Sequence, residues 1–408
     1  MHPIILFEDE GFIDLLPLVY WRSVFELRLG RGIVLDRISR NLERPVGGVW
    51  TRDWIARVTA ERCGAPANQR LQTPAVLVNG RWLMDGGVEL PAEPCAGMIE
   101  GNVAFVVCDG ALAQELTARD MLEPSRRGAA LQRVKKVSAP GRMFQYPWDI
   151  VCGLGDLLKA EWHEDDATIE AEVDPRVIES HRERIHIGGQ ARVHSTVVLD
   201  ATNGPIFISQ DTSVGPYCVI EGPAYLGPGA KVNPHTWLHG ANSIGPACKV
   251  GGEIDGCVID GYTNKQHSGF LGHSYVGSWV NLGAGCCNSD LKNTYGKIRV
   301  PVNGRDVDTG LRFFGAILGD HAKLGINATI PTGSTIGFAA SLNTNRTLPK
   351  YVPSFSWVTD ARMAAGDPAR LLDVASEVMA RRGIDMTDDE VELFLELGQI
   401  VQKYEARA

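Results

Sequence analysis

The chain has 408 residues, 44% of them apolar and 22% charged, which excludes a single small core, a disordered chain and a membrane-embedded one. Its formal charge of −9, with no Lys/Arg cluster, argues against a nucleic-acid partner and obliges any site for anions to gather its cations locally. Nine cysteines without a CxxC read as reduced thiols, and the acidic Glu8, Asp9 and Glu10 argue against a secretory segment. No apolar run nears the roughly 20 residues of a membrane span, so a cytoplasmic protein with no membrane partner is expected.

Residues 1–145 alternate apolar runs, such as Ile4–Phe7 and Ala75–Val78, with helical segments such as 51–62. That pattern predicts an α/β domain on a mostly parallel sheet. Within 146–184, Tyr146-Pro147-Trp148-Asp149-Ile150 opens a bridging helix through about residue 162, and an acidic, irregular linker follows. Over 185–358 a different period takes hold. Ile208, Val214, Ile220, Leu226, Val232, Leu238, Ile244 and Val250 fall six apart without a break. Ile187, Val193 and Leu199 share the phase upstream, and Leu318, Leu324, Ile330, Ile336 and Leu342 regain it downstream. A period of six is neither helical nor simple strand alternation. It predicts a left-handed parallel β-helix of hexapeptide repeats, with aliphatic residues inward and glycine, small or polar residues at the corners. Residues 359–408 turn helical: Thr387–Glu390 fits a capping box, and Val391, Phe394, Leu397, Val401 and Tyr404 form an apolar stripe. A C-terminal helical cap over the solenoid's open edge is expected there.

The period slips between 253 and 285, where Gly272 and Gly277 are five apart and Gly277 and Gly283 six. About thirty irregular residues, 286–317, follow, and a loop that long inside a repeat points to function. The slipped segment contains His267-Ser268-Gly269-Phe270-Leu271-Gly272-His273 and Val280-Asn281-Leu282-Gly283-Ala284-Gly285. Fourteen residues separate Glu253 from His267, and fourteen more separate His267 from Asn281. On those residues the segment resembles the acetyltransferase domain of the bifunctional N-acetylglucosamine-1-phosphate uridylyltransferase/glucosamine-1-phosphate N-acetyltransferase family.

The resemblance covers about residues 185–345 and implies single-step acyl transfer from acetyl-CoA to an amino-sugar phosphate. It implies His267 as the base, Glu253 as the carboxylate polarising it, and Asn281 as the residue orienting amine or thioester. Gly283, Ala284 and Gly285 would present their backbone to acetyl-CoA. A homotrimer with acetyl-CoA between neighbouring subunits is implied as well. The sugar-phosphate side departs from the pattern, with Asp255 in place of a lysine, Phe270 of a tyrosine and Asp290 of an asparagine. Lys265, Phe270, Asp290 and Lys292 are therefore the expected sugar-phosphate contacts, with Lys297 and Arg299 in reserve. His273 is a rival base six residues beyond His267. His235, His239, His267 and His273 raise a zinc reading too, although the H-x4-H step of γ-type carbonic anhydrases is absent.

At the N-terminus, Leu16-Pro17-Leu18-Val19-Tyr20-Trp21-Arg22 and its continuation to Gly30 stand where sugar nucleotidyltransferases carry a Gly-rich GxGTR loop. With Tyr146-Pro147-Trp148-Asp149, that segment resembles an alternative branch of fused nucleotidyltransferase/acetyltransferase proteins. The resemblance implies triphosphate contacts from Arg22 and Arg28. It places Asn79 where the usual enzymes hold a metal-binding aspartate, so Mg²⁺ would need other ligands. The expected function is N-acetyl transfer to a glucosamine 1-phosphate-like acceptor, coupled to nucleotidyl transfer forming a UDP-sugar. Two alternatives stand beside it: a sugar-1-phosphate nucleotidyltransferase whose β-helix only oligomerises it, and a non-catalytic scaffold binding nucleotide sugars.

Overall fold

Aliphatic residues six apart can share one interior only if three of them complete a turn, and the chain winds that way. In the computed structural model, which describes residues 2–405, the solenoid is three sheets of six, nine and ten strands. Neighbouring strands along each wall are parallel and belong to successive coils, except that Met363–Ala365, in the stretch expected to be helical, closes the ten-stranded wall antiparallel to Ser356–Thr359. One inward column runs Ile187, Ile208, Leu226, Ile244, Ile259, Val276, Leu318, Ile336 and Val352, all fully buried. Leu199, Ile220, Leu238, Ile254 and Leu271 form the column of the six-stranded sheet. Each such side chain contributes roughly 1.5–3 kcal/mol through burial, so the interior is the main source of stability here.

The solenoid starts earlier than the period of six announces. Ile178–Ser180 already pairs with Val198–Asp200, and Ile169 bridges to Ile187, so part of the expected linker is wall. The insertion at 286–317 also holds regular structure, an antiparallel hairpin of Arg299–Val302 and Arg305–Asp308. Asn303 and Gly304 both take positive φ between those strands, as a two-residue hairpin turn requires.

The corners differ from expectation as well. Many glycines after the aliphatic residues do not supply positive φ but let coils stack. A Cβ on Gly227 would meet the Gly245 backbone at 2.9 Å, and one on Gly319 the Phe338 nitrogen at 2.7 Å. The left-handed corner positions instead include large residues, among them Tyr262 (φ 62°) and Trp279 (φ 61°). Their rings stack at 4.2 Å, which offsets a backbone cost of about 1–2 kcal/mol at each corner.

Backbone contacts divide the chain into two compact units. Residues up to Leu27, Gly32–Tyr146 and Thr387–Leu397 form the first; Arg28–Arg31, Pro147–Met386 and the chain from Gly398 onward form the second. The first is built on a six-stranded mixed sheet. Ile4–Phe7 lies parallel to Val46–Trp50 and to Ala75–Asn79, and Asn102–Cys108 runs antiparallel to Ala75–Asn79 and Cys95–Ile99. The helix Pro147–Ala160 forms within the expected bridging segment and Asp388–Tyr404 where the apolar stripe places it, and Thr387 and Glu390 exchange the two hydrogen bonds of a capping box. No helix among the described residues is long and apolar enough to cross a membrane.

Candidate active site on one face of the solenoid

In the six-stranded wall the middle residue of each strand points inward, so its two neighbours point out. Two outward columns result: Trp237, Glu253 and Phe270 in one, His239, Asp255 and Gly272 in the other. Chemistry-bearing residues far apart in sequence are thereby gathered on one face. His239 Nε2 lies 3.1 Å from Glu253 Oε1, its ring stacks on Trp237 at 4.0 Å, and its Nδ1 is 3.6 Å from Asp255 Oδ1. Trp237 remains 44% exposed.

His273 sits at the next corner, with φ +42° and its N–H donated to the Asp255 carbonyl at 2.7 Å. Its Nδ1 is 2.8 Å from Asp290 Oδ2 and 3.9 Å from Asp255 Oδ2. Burial alone lowers the imidazole's proton affinity, but the Asp290 hydrogen bond and the charges of Asp255 and Asp290 outweigh it and hold the pKa above 6.5. The insertion is anchored here. Phe314 N–H donates to the Asp290 carbonyl and Gly315 N–H to the His273 carbonyl, both at 2.9 Å. Asn288 grips Gly272 from both sides, accepting its N–H at 2.8 Å and donating to its carbonyl at 2.9 Å. A Cβ on Gly272 would lie 2.5 Å from Asp290 Oδ2, so that glycine makes room for the carboxylate. Asp255, His273 and Asp290 offer donor atoms within 4.8 Å of one another, but His273 Nδ1 is committed to Asp290.

The residues singled out from the sequence are distributed around this face. Glu253 is on it, paired with His239 rather than with His267. His267 is exposed at the corner joining the six- and ten-stranded walls, and its ring makes no hydrogen bond among the described residues. Asn281 stands on the ten-stranded wall, beside Asn264 at 3.4 Å. The Gly283 and Gly285 amides already donate to the carbonyls of Leu324 and Ser268, and the Ala284 carbonyl accepts from Asn327. Phe270 is in register with Glu253, and Asp290 is the partner of His273. Lys292 donates to the Lys297 carbonyl within the insertion. Lys265 is 1% exposed and takes the place of an aliphatic residue in the column Val232, Val250, Lys265. Its ammonium donates to the carbonyls of Gly251 and His267, at 2.8 and 2.7 Å. Sequence reasoning missed Trp237, and saw His239 only as a zinc candidate. The signal was there: both flank Leu238, as Glu253 and Asp255 flank Ile254, so alternation alone puts all four outward.

In the first unit the strand Ile4–Phe7 ends in two buried carboxylates. Arg52 binds Glu8 through two nitrogens at 2.9 and 3.0 Å, and Arg81 binds Asp9 through two at 2.7 Å. Asn79 is fully buried and donates to Asp9 at 2.8 Å and to the Val103 carbonyl at 2.9 Å. With Asn79 spent this way and Asp9 neutralised by Arg81, this corner does not fit Mg²⁺, which needs free oxygen ligands. Arg22 is buried, and Arg28, also buried, lies 3.6 Å from Asp260 within the second unit. Two clefts of this unit share the stretch Gly87–Glu89, and none of Arg22, Arg28 or Asn79 lines them.

The chain is 33% identical over 90 residues to a bifunctional sugar-1-phosphate nucleotidylyltransferase/acetyltransferase of Sulfurisphaera tokodaii, a stretch that is 22% of each chain. It is 29% identical over 106 residues to the bifunctional protein GlmU of Methanococcus vannielii, covering 26% of this chain and 25% of that one. The matched stretch thus spans about a quarter of the curated relatives' length. A UDP-N-acetylglucosamine acyltransferase structure from Francisella novicida aligns at a TM-score of 0.32 and 12% identity, over 58% of this chain and 88% of that one. Residues 4–166 match the family model of the sugar nucleotidyl transferases.

Proposed function

We propose that the solenoid unit is an acetyl-CoA-dependent N-acetyltransferase acting on an amino-sugar phosphate of the glucosamine 1-phosphate kind. The observation that carries this is the outward face on which Glu253, His239, Asp255, His273 and Asp290 meet beside the corner of His267. A neutral sugar amine must shed a proton as it attacks a thioester, so acyl transfer needs a group that takes a proton near pH 7, and histidine beside carboxylate supplies one. The fourteen-residue series points to His267 for that role, and His273, paired with Asp290 on the same face, is the rival histidine. The bifunctional relatives support the reaction class, and the exposed Trp237 indole offers a flat apolar surface to a sugar ring. A homotrimer is part of the proposal, as are soluble substrates rather than a macromolecular partner. Thiol release from acetyl-CoA in the presence of glucosamine 1-phosphate or glucosamine tests the reading. Absence of release with both amines overturns it.

The family match over residues 4–166 favours a second activity in the first unit, nucleotidyl transfer from UTP to a sugar 1-phosphate. Pyrophosphate release by the full chain is its measure. Release that survives His267→Ala and His273→Ala, with no thiol release in any variant, would leave the solenoid an oligomerisation element.

A further inference from the structure

The aspartate that replaces the family's asparagine after Gly285 has a partner. Asp290, from the insertion, meets His273 Nδ1 at 2.8 Å and leaves Nε2 without a hydrogen bond among the described residues. A histidine serves as a general base when one ring nitrogen is held by a carboxylate and the other is free for the substrate. His273 meets both conditions; His267, with no ring partner, meets only the second. The backbone of His273 is fixed on both sides, donating to the Asp255 carbonyl and accepting from Gly315. Its ring lies over Gly256, where a Cβ would come within 3.3 Å of Nε2, and faces Phe313 at 5.7 Å. The titratable groups around it are Asp290 from the insertion, Asp255 from the preceding coil, and His239 on the far side of Asp255.

We propose that His273, oriented by Asp290, is the general base of acyl transfer on this face; the proposal rests on the N-acetyltransferase reading above. The acceptor ammonium first loses one proton to solvent. The amine nitrogen then attacks the thioester carbonyl carbon, forming the C–N bond, and its second proton passes to His273 Nε2. The C–S bond breaks, and the imidazolium returns that proton to the departing thiolate, giving amide and free thiol. Asp290 accepts a hydrogen bond from Nδ1–H throughout and stays ionised, which fixes the tautomer and stabilises the imidazolium formed midway.

The test compares the full chain with its His273→Ala, His267→Ala and Asp290→Asn variants, each checked for an unchanged melting curve. Thiol release with glucosamine 1-phosphate is followed from pH 5 to 9. His273→Ala is expected to lose about 10²–10⁴-fold in kcat. In Asp290→Asn the acid limb of kcat/KM moves to lower pH, because the ring loses the carboxylate that raises its proton affinity. A larger loss in His267→Ala than in His273→Ala, or an acid limb unmoved in Asp290→Asn, overturns the proposal. So does a rate abolished by chelator and restored by zinc, which would make Asp255, His273 and Asp290 a metal site. If the wild-type chain acetylates neither amine, the N-acetyltransferase reading fails instead. NMR titration of the His273 ring then decides the dyad by itself: a pKa at or below 6.5, unmoved by Asp290→Asn, rejects it.

Discussion

A lysine inside an aliphatic column must either neutralise or find partners, and Lys265 does some of each. Two buried carbonyls, those of Gly251 and His267, accept from its ammonium, so it ties two successive coils together beneath the His267 corner. Burial pushes its pKa down to about 8, with the Cys286, Cys257 and Cys287 thiols opposing the shift. In the unfolded chain the same group titrates near 10.5. Between these values the unfolded chain holds a proton that the folded one has given up, so stability rises with pH across that window. Buried thiols pushed above 9 pull the other way in the upper part of this window. The expected effect of Lys265→Met is therefore a change of slope: in urea titrations, stability against pH between 8 and 10.5 becomes less rising, or more falling, than in the parent chain. An unchanged slope would remove Lys265 from this role. The sequence suggested Lys265 for the sugar phosphate as a cation to replace the charge lost at Asp255. Only its register with Val250 says otherwise, and the slip after Val250 hides that register.

At the scale of elements, what was legible depends on whether a period existed to be read. The solenoid's columns were visible because each coil repeats the demand for an inward aliphatic residue. The insertion was not, because the wall that joins Tyr275 to Ile317 is rejoined only after residues 289–315, which carry no period of six. The large corner residues escaped notice for a related reason: the stacking of Tyr262 on Trp279 is a contact between coils, and the sequence shows each ring alone. The Glu253–His267 spacing did not give the pairing on this face, since in-register neighbours here are sixteen or seventeen residues apart rather than fourteen. Where the insertion rejoins the wall, Gly315 has no room for a side chain. A Cβ there would come within 2.0 Å of the Gly272 carbonyl oxygen and 2.4 Å of Ser274 Oγ. Gly315→Ala therefore has to push the insertion off the wall, at a cost of about 1–3 kcal/mol. Because Gly315 N–H holds the His273 carbonyl, acetyl transfer should fall with stability in this variant. Full activity at an unchanged melting temperature would show that the return of the insertion does not position His273.

At the scale of the whole molecule, the last helix bears on how the chain is organised. Reading residues 359–408 as a cap over the solenoid's edge gives them one duty. The structure divides them, with Thr387–Leu397 counted in the first unit and the chain from Gly398 onward in the second. In the first unit Phe394 is fully buried and packs edge-on against Trp21 at 5.7 Å, and Glu390 binds Arg62 at 2.6 Å. In the second, Glu405 accepts from Ser354 through both its N–H and its hydroxyl, at 2.7 and 2.5 Å. Losing a buried phenylalanine alone costs about 3–5 kcal/mol, a large share of a typical domain's stability. A chain ending at Met386 is therefore expected to unfold at lower temperature in both units, with the larger shift in the first, where the aromatic core contact is lost. Phe394→Ala in the full chain should reproduce only the first of these shifts. Differential scanning calorimetry distinguishes the outcomes: a downward shift confined to the solenoid transition would restore the simple cap. A shift in both makes the C-terminal helix a structural part of each unit, and explains why a segment with no chemistry of its own keeps a complete apolar stripe.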